Sequence, residues 1–359
     1  IDLARTTLFK LQGHLKNPLA LNPISRYKGS MANERKLSGP TLIENALADT
    51  LGGPRKRAFL AKMQAAVPWQ ELAKPVRKLY RNDAGKGGRP NVSAVVMLKC
   101  LLIQKWFGLS DPQLEDLLLD SIAIRGFVGL GQEDAVVDET TMVVFRRRLR
   151  EAGLTSQLFD TVVDHLQKQG LFVDEGTIVD ATIIQAPKGT KKKDASGEVV
   201  KDTRDKQAGF TKKHGRSYHG YKAHVATDVR GLAKDYRVTP AQEHDSKRFD
   251  ELTEDEKKAK YGDSAYMDKK RKATMAEHDI FCGVIERRVR GQDELSVEQK
   301  AHNKKVSKVR AHVEHVFGWG WQMGQFVRTR YRGIRRNAED IGWGLIAYNL
   351  KRSVSLTPV

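Results

Sequence analysis

An aspartate stands in the middle of an apolar, β-branched run, Thr177-Ile178-Val179-Asp180-Ala181-Thr182-Ile183-Ile184. The run reads as a buried strand. A bare carboxylate inside such a strand is unfavourable by several kcal/mol unless it is paired or holds a metal ion. The fold must therefore bring a partner to Asp180. Two further acids are candidates. Asp263 lies in Tyr261-Gly262-Asp263-Ser264-Ala265-Tyr266, where a strand ends. Glu314 lies on the helical stretch Val309-Arg310-Ala311-His312-Val313-Glu314-His315-Val316-Phe317. Two strand acids followed by one helix acid point to a metal site acting on phosphodiesters. Each also has a plainer reading. Asp180 can be a hydrogen-bonded strand acid and Asp263 a turn residue. Glu314 can form an exposed pair with Arg310 one helical turn before it, worth under ~0.5 kcal/mol.

Composition supports the charged-ligand reading. The chain has 359 residues, 40% apolar and 30% charged, with a formal net charge of +19. The apolar share supports a real core, and the positive excess implies a polyanionic partner, nucleic acid first. The alternative is a soluble protein that is merely rich in lysine. Cys100 and Cys282 have no neighbouring Cys or His at zinc spacing, so neither a disulfide framework nor a zinc finger is expected, and the chain fits a reducing cytosol. No run approaches the ~18 apolar residues of a membrane span, and no signal core opens the chain. The expected setting is the cytoplasm, with no membrane span. The chain begins at Ile1, and Met31 is a candidate natural start. Residues 1–40 are expected to be a poorly ordered extension.

Residues 42–65 read as a helical arm interrupted at Gly52-Gly53-Pro54, and a Pro-initiated helix follows at Val67-Pro68-Trp69. The basic, glycine-rich loop Arg81–Pro90 lacks the Gly-Lys-Ser/Thr ending of a P-loop, so no nucleotide cradle is expected. From 91 to 170 the apolar spacing is helical. Asp111 and Asp138 serve as candidate caps, and a helix ends at Gly170. The helix after Asp138 carries Arg146, Arg147, Arg148 and Arg150; it is either a DNA-docking helix or a solvated face. Beyond 171 the period changes. Strands are expected at Thr177–Ile184, Tyr218–Asp228, Leu232–Val238, Lys258–Gly262 and Ile280–Glu286, with helices over 246–256, 268–278 and 296–317. This succession suits a mixed α/β sheet with helices on both faces. Residues 187–217 are polar and basic, and they read as a long, mobile, solvent-exposed insertion that orders on DNA.

The motifs run in an order that resembles bacterial insertion-sequence transposases of the IS5 type, within the IS4-like DDE group. They are Val67-Pro68-Trp69, Gly88-Arg89-Pro90, Trp106-Phe107-Gly108-Leu109-Ser110-Asp111, Asp138-Glu139-Thr140-Thr141 and Gly176-Thr177-Ile178-Val179-Asp180-Ala181-Thr182. Gly220-Tyr221-Lys222-Ala223-His224, Glu243-His244-Asp245-Ser246, Tyr261–Tyr266, Arg310–His315 and Arg330-Tyr331-Arg332-Gly333-Ile334 follow. The resemblance implies an RNase H-like catalytic core over 171–352, with the basic insertion 187–217. A helical DNA-binding and assembly domain over 41–170 precedes it, and a tail over 353–359 follows. It also implies that Asp180, Asp263 and Glu314 are the catalytic, metal-holding triad. Two positions depart from the wider group: Ser307 stands where a Tyr is common, and Trp321 where a Lys is common.

Three carboxylates at ~4 Å repel by roughly 4 kcal/mol per pair at an effective dielectric of ~20. Two Mg2+ ions, with Mn2+ as a substitute, are expected to relieve this. The implied chemistry is hydrolysis at the element's ends, then attack of the freed 3′-OH on target DNA. The partners are transposon-end DNA and target DNA, with a homodimer or higher oligomer assembled on them. Candidate DNA contacts are Arg146, Arg147, Arg150, Lys191, Lys192, Lys193, Lys212, Lys213, Lys222, Arg310, Arg328, Arg330, Arg332, Arg335 and Arg336. His224, His244 and His315 either reach the site or are structural. The tryptophans of Gly318-Trp319-Gly320-Trp321 pack in the core or stack on an unpaired base. Two alternatives stay open: a domesticated or inactive DNA-binding protein, and an RNase H-like nuclease that cleaves without joining.

Overall fold

The computed structural model describes residues 34–51, 53–80, 90–193, 196–202, 204–213, 215–288 and 291–357. The expectations for residues 1–33 and for the loop over 81–89 lie outside the described residues.

Among the described residues eight helices precede the sheet. They are α1 (Leu42–Leu51), α2 (Pro54–Ala66), α3 (Trp69–Arg77), α4 (Ala94–Phe107), α5 (Asp111–Asp120), α6 (Ile122–Val128), α7 (Glu139–Glu151) and α8 (Leu154–Lys168). Local chemistry sets their ends. Helix α2 opens with a proline, whose missing N–H has no intrahelical role there. Helix α4 is apolar all round and is sheathed by the others; it stops at Gly108, which takes the left-handed conformation at φ 67°. Asp111 is not the cap of α5. Ser110 is, through a reciprocal box with Gln113. Asp138 does cap α7, accepting from the Thr141 N–H at 2.7 Å.

The sheet follows, with strands β1 (Thr177–Gln185), β4 (Gly209–Lys213), β5 (Arg216–Asp228), β6 (Ala233–Pro240), β7 (Ala259–Gly262) and β8 (Phe281–Val284). A small separate ladder joins β2 (Lys191–Lys193) to β3 (Val199–Asp202). Strand β5 pairs antiparallel with β1, β4 and β6, while β7 pairs parallel with β1, and β8 parallel with β7. Along β6-β5-β1-β7-β8 three antiparallel strands therefore meet two parallel ones, which is the RNase H-like arrangement. Gly220 is needed where β5 passes β1, because a Cβ there would lie 2.0 Å from the Ile184 carbonyl oxygen.

Helices cover both faces. They are α9 (Ser246–Leu252), α10 (Lys269–Glu277), α11 (Val297–Arg310), α12 (Glu314–Gln322) and α13 (Ile334–Leu356). Alternation along β1 divides its side chains between two cores. Ile178 and Ile184 join the large core shared with the N-terminal helices, α11, α12 and α13. Val179 joins a smaller core with Phe249 of α9, Met275 of α10, Tyr266 and Val284. Asp180 has the parity of Ile178 and so faces the large-core side. Among the described residues no helix is long and apolar enough to cross a membrane.

One expectation needs correction. The described residues of the segment 187–217 are built into the structure. Its last part is β4, paired Gly209–Lys213 with Arg216–Gly220 in the main sheet. Before it, Asp205 accepts hydrogen bonds from the Tyr221 hydroxyl at 2.7 Å and the Gly333 N–H at 2.8 Å. Backbone pairing and one half-buried acceptor hold the segment where its side chains supply little apolar area. Helix α13 is an element that sequence periodicity did not show. It is buried on several sides, and Gly342 and Gly344 interrupt its apolar pattern where Tyr236 and Gln325 press against the backbone.

Candidate active site

The pairing of β1 with β7 runs Thr177 to Lys260 and Ile178 to Tyr261. Two residues further on, the same register brings Asp180 level with Asp263, just beyond the end of β7. Neighbouring strands lie about 4.8 Å apart, so two carboxylates meet at this edge. Asp263 caps the 3-10 turn Ser264–Tyr266, accepting from the Ala265 N–H at 2.7 Å. Asp180 accepts from the Ala181 N–H at 2.7 Å. Its side chain is 25% exposed, and the Arg310 guanidinium stands 3.5 Å from it. Burial pushes the Asp180 carboxyl above its ordinary range. The Ala181 N–H and Arg310 oppose that shift, Asp263 adds to it, and Lys213 of β4 lies near enough to lower it.

Glu314 is placed differently. The helix expected over 296–317 is broken by a 3-10 turn at Ala311–Val313, and Glu314 is the first residue of α12. Its side chain is exposed. Among the described residues no three His, Cys, Asp or Glu side chains stand close enough to hold one metal ion. The structure therefore joins Asp180 and Asp263 and leaves Glu314 outside that pair. The plain Arg310–Glu314 helix pair does not form either, because Arg310 turns to Asp180. The Nε of Arg310 is buried without a hydrogen-bond partner among the described residues.

The histidines separate by face and depth. His224 lies opposite Ala181, so it projects to the other side of the sheet from Asp180. It is fully buried and bonds Thr239 Oγ1 at 2.9 Å. Burial pulls its imidazole down to about 4. His244 is exposed and caps Ser246. His315 is exposed on α12, and its imidazole is lowered by burial and then by Arg352.

The candidate DNA cations divide in the same way. Arg146 is held by Asp111 and Gln104. Lys222 is held by Asp245 at 2.8 Å and by the Glu243 carbonyl at 2.8 Å. Arg147 is exposed beside Glu151. The backbone carbonyl of Arg150 accepts from Arg335. Lys191, Lys192 and Lys193 make up β2. Lys212, Lys213, Arg328, Arg330, Arg332, Arg335 and Arg336 are exposed. Backbone bonds from Gln185 N to Val327 O at 3.0 Å and from Thr329 N to Gln185 O at 2.8 Å tie Arg328 to the end of β1. The basic run thus reaches the strand that carries Asp180.

Sequence reasoning missed Tyr266. Its hydroxyl is buried with no hydrogen-bond partner among the described residues, and burial with Asp180, Asp245 and Asp263 raises it. Its position three residues after Asp263, within one motif, was the available signal.

Known proteins match this architecture along most of the chain. The family described as Transposase DDE domain matches residues 171–350, and Transposase domain (DUF772) matches residues 53–148. Two solved structures overlap at low similarity. A piggyBac transposase synaptic complex with hairpin DNA has a TM-score of 0.41 at 10% identity, covering 88% of this chain and 77% of that one. A pre-cleavage Mos1 transpososome has a TM-score of 0.18 at 11% identity, covering 77% and 81%. The match over 171–350 takes in the strand of Asp180, the strand end of Asp263 and the helix start of Glu314, and by it the chain belongs to the family of DDE-domain DNA transposases.

Proposed function

We propose that the chain binds the terminal inverted repeats of an insertion sequence, hydrolyses the phosphodiester at each end and joins the freed 3′-OH to target DNA. The observation that carries this is the level placement of Asp180 and Asp263 on adjacent parallel strands, at an edge also reached by Arg310 and Lys213. These carboxylates suit a hard divalent cation: they supply only oxygen donors, and Asp180 is disfavoured in its charged form by burial and by Asp263. Asp180 and Asp263 would hold such a cation, and Glu314 is the third acid that the family likeness would add to them. When bound, Mg2+, or Mn2+ in its place, supplies Lewis acidity toward the phosphate and its nucleophile.

Arg310 balances Asp180 in the free protein. Its planar, multiply donating guanidinium also suits a phosphate oxygen pair, so it can pass from carboxylate to DNA. In the first reaction a water oxygen bonds phosphorus and the 3′ oxygen leaves as a hydroxyl. In the second, that hydroxyl bonds a target phosphorus and the target's own 3′ oxygen leaves. Two copies of the chain, one per element end, suit this joint chemistry. One observation favours a second reading, a DNA-binding protein that does not cut: Glu314 stands outside the acid pair.

Incubating duplexes that carry the terminal repeats with Mg2+, and assaying nicked and joined products, decides between the readings. Asp180→Asn, Asp263→Asn and Glu314→Gln are each expected to abolish cleavage while DNA affinity stays within a few-fold, because phosphate contacts elsewhere dominate binding. Cutting by Glu314→Gln at the native rate would remove Glu314 from the site. Absence of cutting by the native chain would favour the second reading.

A further inference from the structure

Helix α1 packs on α6 with its polar side inward. The Glu44 carboxylate accepts from the Gln132 N–H at 3.0 Å, and a Cβ on Gly126 of α6 would meet the Asn45 carboxamide oxygen at 3.9 Å. The apolar side faces water. Leu42, Ile43 and Leu47 are 89%, 73% and 41% exposed, and Ala46 and Thr50 between them are exposed as well. At about 3.6 residues per turn, positions 42, 43, 46, 47 and 50 fall within an arc of about 140°. A surface helix normally buries such a stripe and turns its polar face to solvent. Helix α1 does the reverse. Its first turn is fixed by a reciprocal pair of hydrogen bonds, from the Thr41 N–H to Glu44 at 2.6 Å and from the Glu44 N–H to the Thr41 hydroxyl at 3.2 Å.

The stripe also alternates in size. Ile43 and Leu47 are large, while Ala46 and Thr50 are small. Consider two antiparallel α1 helices related by a twofold axis between positions 46 and 47. Ile43 then faces Thr50 of the second copy, and Ala46 faces its Leu47. The axis repeats both contacts in reverse. Each of these large side chains meets a small one, which lets two helices interdigitate at about 8–10 Å. A parallel pair would set Ile43 on Ile43 and Ala46 on Ala46, with bulk against bulk and gap against gap. The five positions carry no charge, so the stripe offers nothing to a phosphate.

We propose that α1 is the contact between two copies of this chain, paired antiparallel through Leu42, Ile43, Ala46, Leu47 and Thr50. The need for two copies rests on the transposase reading above, in which one copy serves each element end; the surface rests on α1 alone. A pair of ten-residue helices buries far less than the ~1,200 Å² of a standard interface, so the free chain associates weakly. On DNA that carries both ends, the copies are held at high effective concentration and the pair closes.

Light scattering of the full chain tests this, first alone over a rising concentration series and then on one duplex carrying two terminal repeats. Raised salt in the first series screens the repulsion between two copies of net charge +19. The native chain is expected to move from the mass of one chain toward twice that mass, and to bind the two-repeat duplex cooperatively. Ile43→Glu should weaken self-association roughly a hundred-fold, because the pair would bury two carboxylates. Ala46→Leu should weaken it roughly ten-fold by overfilling a small position, although it adds apolar surface. Ala46→Leu combined with Leu47→Ala exchanges large and small at facing positions, and should restore association to near the native level. Melting temperatures should hold throughout, since the replaced side chains are exposed.

The proposal fails if Ala46→Leu tightens association, which would mark an unspecific apolar contact. It fails if Ile43→Glu leaves the mass series unchanged, which would move the contact to another surface. It fails too if the native chain keeps the mass of one chain throughout and binds the two-repeat duplex without cooperativity. In that case a lower melting temperature for Ile43→Glu would show the stripe covered within its own chain, and co-sedimentation with anionic phospholipid vesicles would show a membrane contact. In each of these results, binding and cutting of the terminal repeats by the native chain leaves the transposase reading standing. Self-association through α1 without any DNA binding would keep this surface and remove that reading.

Discussion

Arginines that look alike in sequence do different work here. Arg146 and Arg147 are neighbours on α7, in the run that reads as either a DNA-docking helix or a solvated face. Arg146 makes a two-pronged bond to Asp111, with Gln104 closing the third side. Arg147 stands 58% exposed, with only a 4.0 Å approach to Glu151. A bidentate, partly buried pair is worth roughly 1.5–3 kcal/mol, and an exposed one under about 1 kcal/mol. Arg146→Ala should therefore lower the melting temperature by several degrees, and Arg147→Ala should not move it. In DNA titrations the order reverses: loss of Arg147 reduces the salt dependence, while loss of Arg146 acts only through the fold. Equal melting temperatures for the two variants would contradict this division. At this scale Asp180 and Asp263 were legible, because an acid in a β-branched run and an acid closing a strand fix where each stands. The placement of Arg310 was not. An arginine one turn before a glutamate favours their pairing on a continuous helix, and only the 3-10 turn at Ala311–Val313 sends it to Asp180 instead.

Among the elements, the segment between β1 and β5 shows why composition misled. Few apolar side chains made it read as loose, yet its stability comes from backbone pairing and from Asp205. That carboxylate accepts from the Tyr221 hydroxyl, from the Gly333 N–H and from the Gln207 N–H at 3.1 Å. Burial pushes its carboxyl up, but the hydrogen bonds that it accepts outweigh that and leave its charged form favoured overall. It links the segment and β5 to the start of α13, which lies over 100 residues further along the chain. Asp205→Ala leaves the buried end of Tyr221 without its acceptor and should release the segment. The expected sign is faster trypsin cutting at Lys206, Lys212 and Lys213 than in the native chain, with the remaining sheet resistant. Equal cutting rates would mean that the β4–β5 ladder alone holds the segment. Five of the six strands of the sheet were legible to within a few residues because alternation and β-branching mark them; β4 was not. Helix α13 was not, since a helix buried on several sides has no polar face to reveal its period.

Across the whole molecule, α13 is the element that makes the N-terminal helices and the sheet one body. Its Asp340 pairs with Lys105 of α4 at 2.5 Å, and its Ala347 carbonyl accepts from the Trp106 indole at 3.0 Å. Asn349 exchanges two hydrogen bonds with the backbone of Ala233 at the start of β6. The arginines immediately before and at the start of α13 are thereby held against both parts. Net charge of +19 is too diffuse to say where DNA lies, but the fold sets exposed cations on β4 and beside the end of β1, the strand of Asp180. Lys212 and Lys213 come from β4, and Arg328, Arg330 and Arg332 from the run bonded to the end of β1. If about six phosphates are neutralised, log affinity should fall with log salt at a slope of about −5. Replacing Arg328, Arg330 and Arg332 together with alanine should reduce that slope by about three, evenly across DNA sequences. The melting temperature should hardly change, because these side chains are exposed. Fluorescence anisotropy at four or five salt concentrations measures both slopes. A native slope near zero would sink the nucleic-acid reading. A native slope near −5 that survives the triple replacement would move the DNA away from this edge, and with it the case for Asp180 and Asp263 as the cutting site.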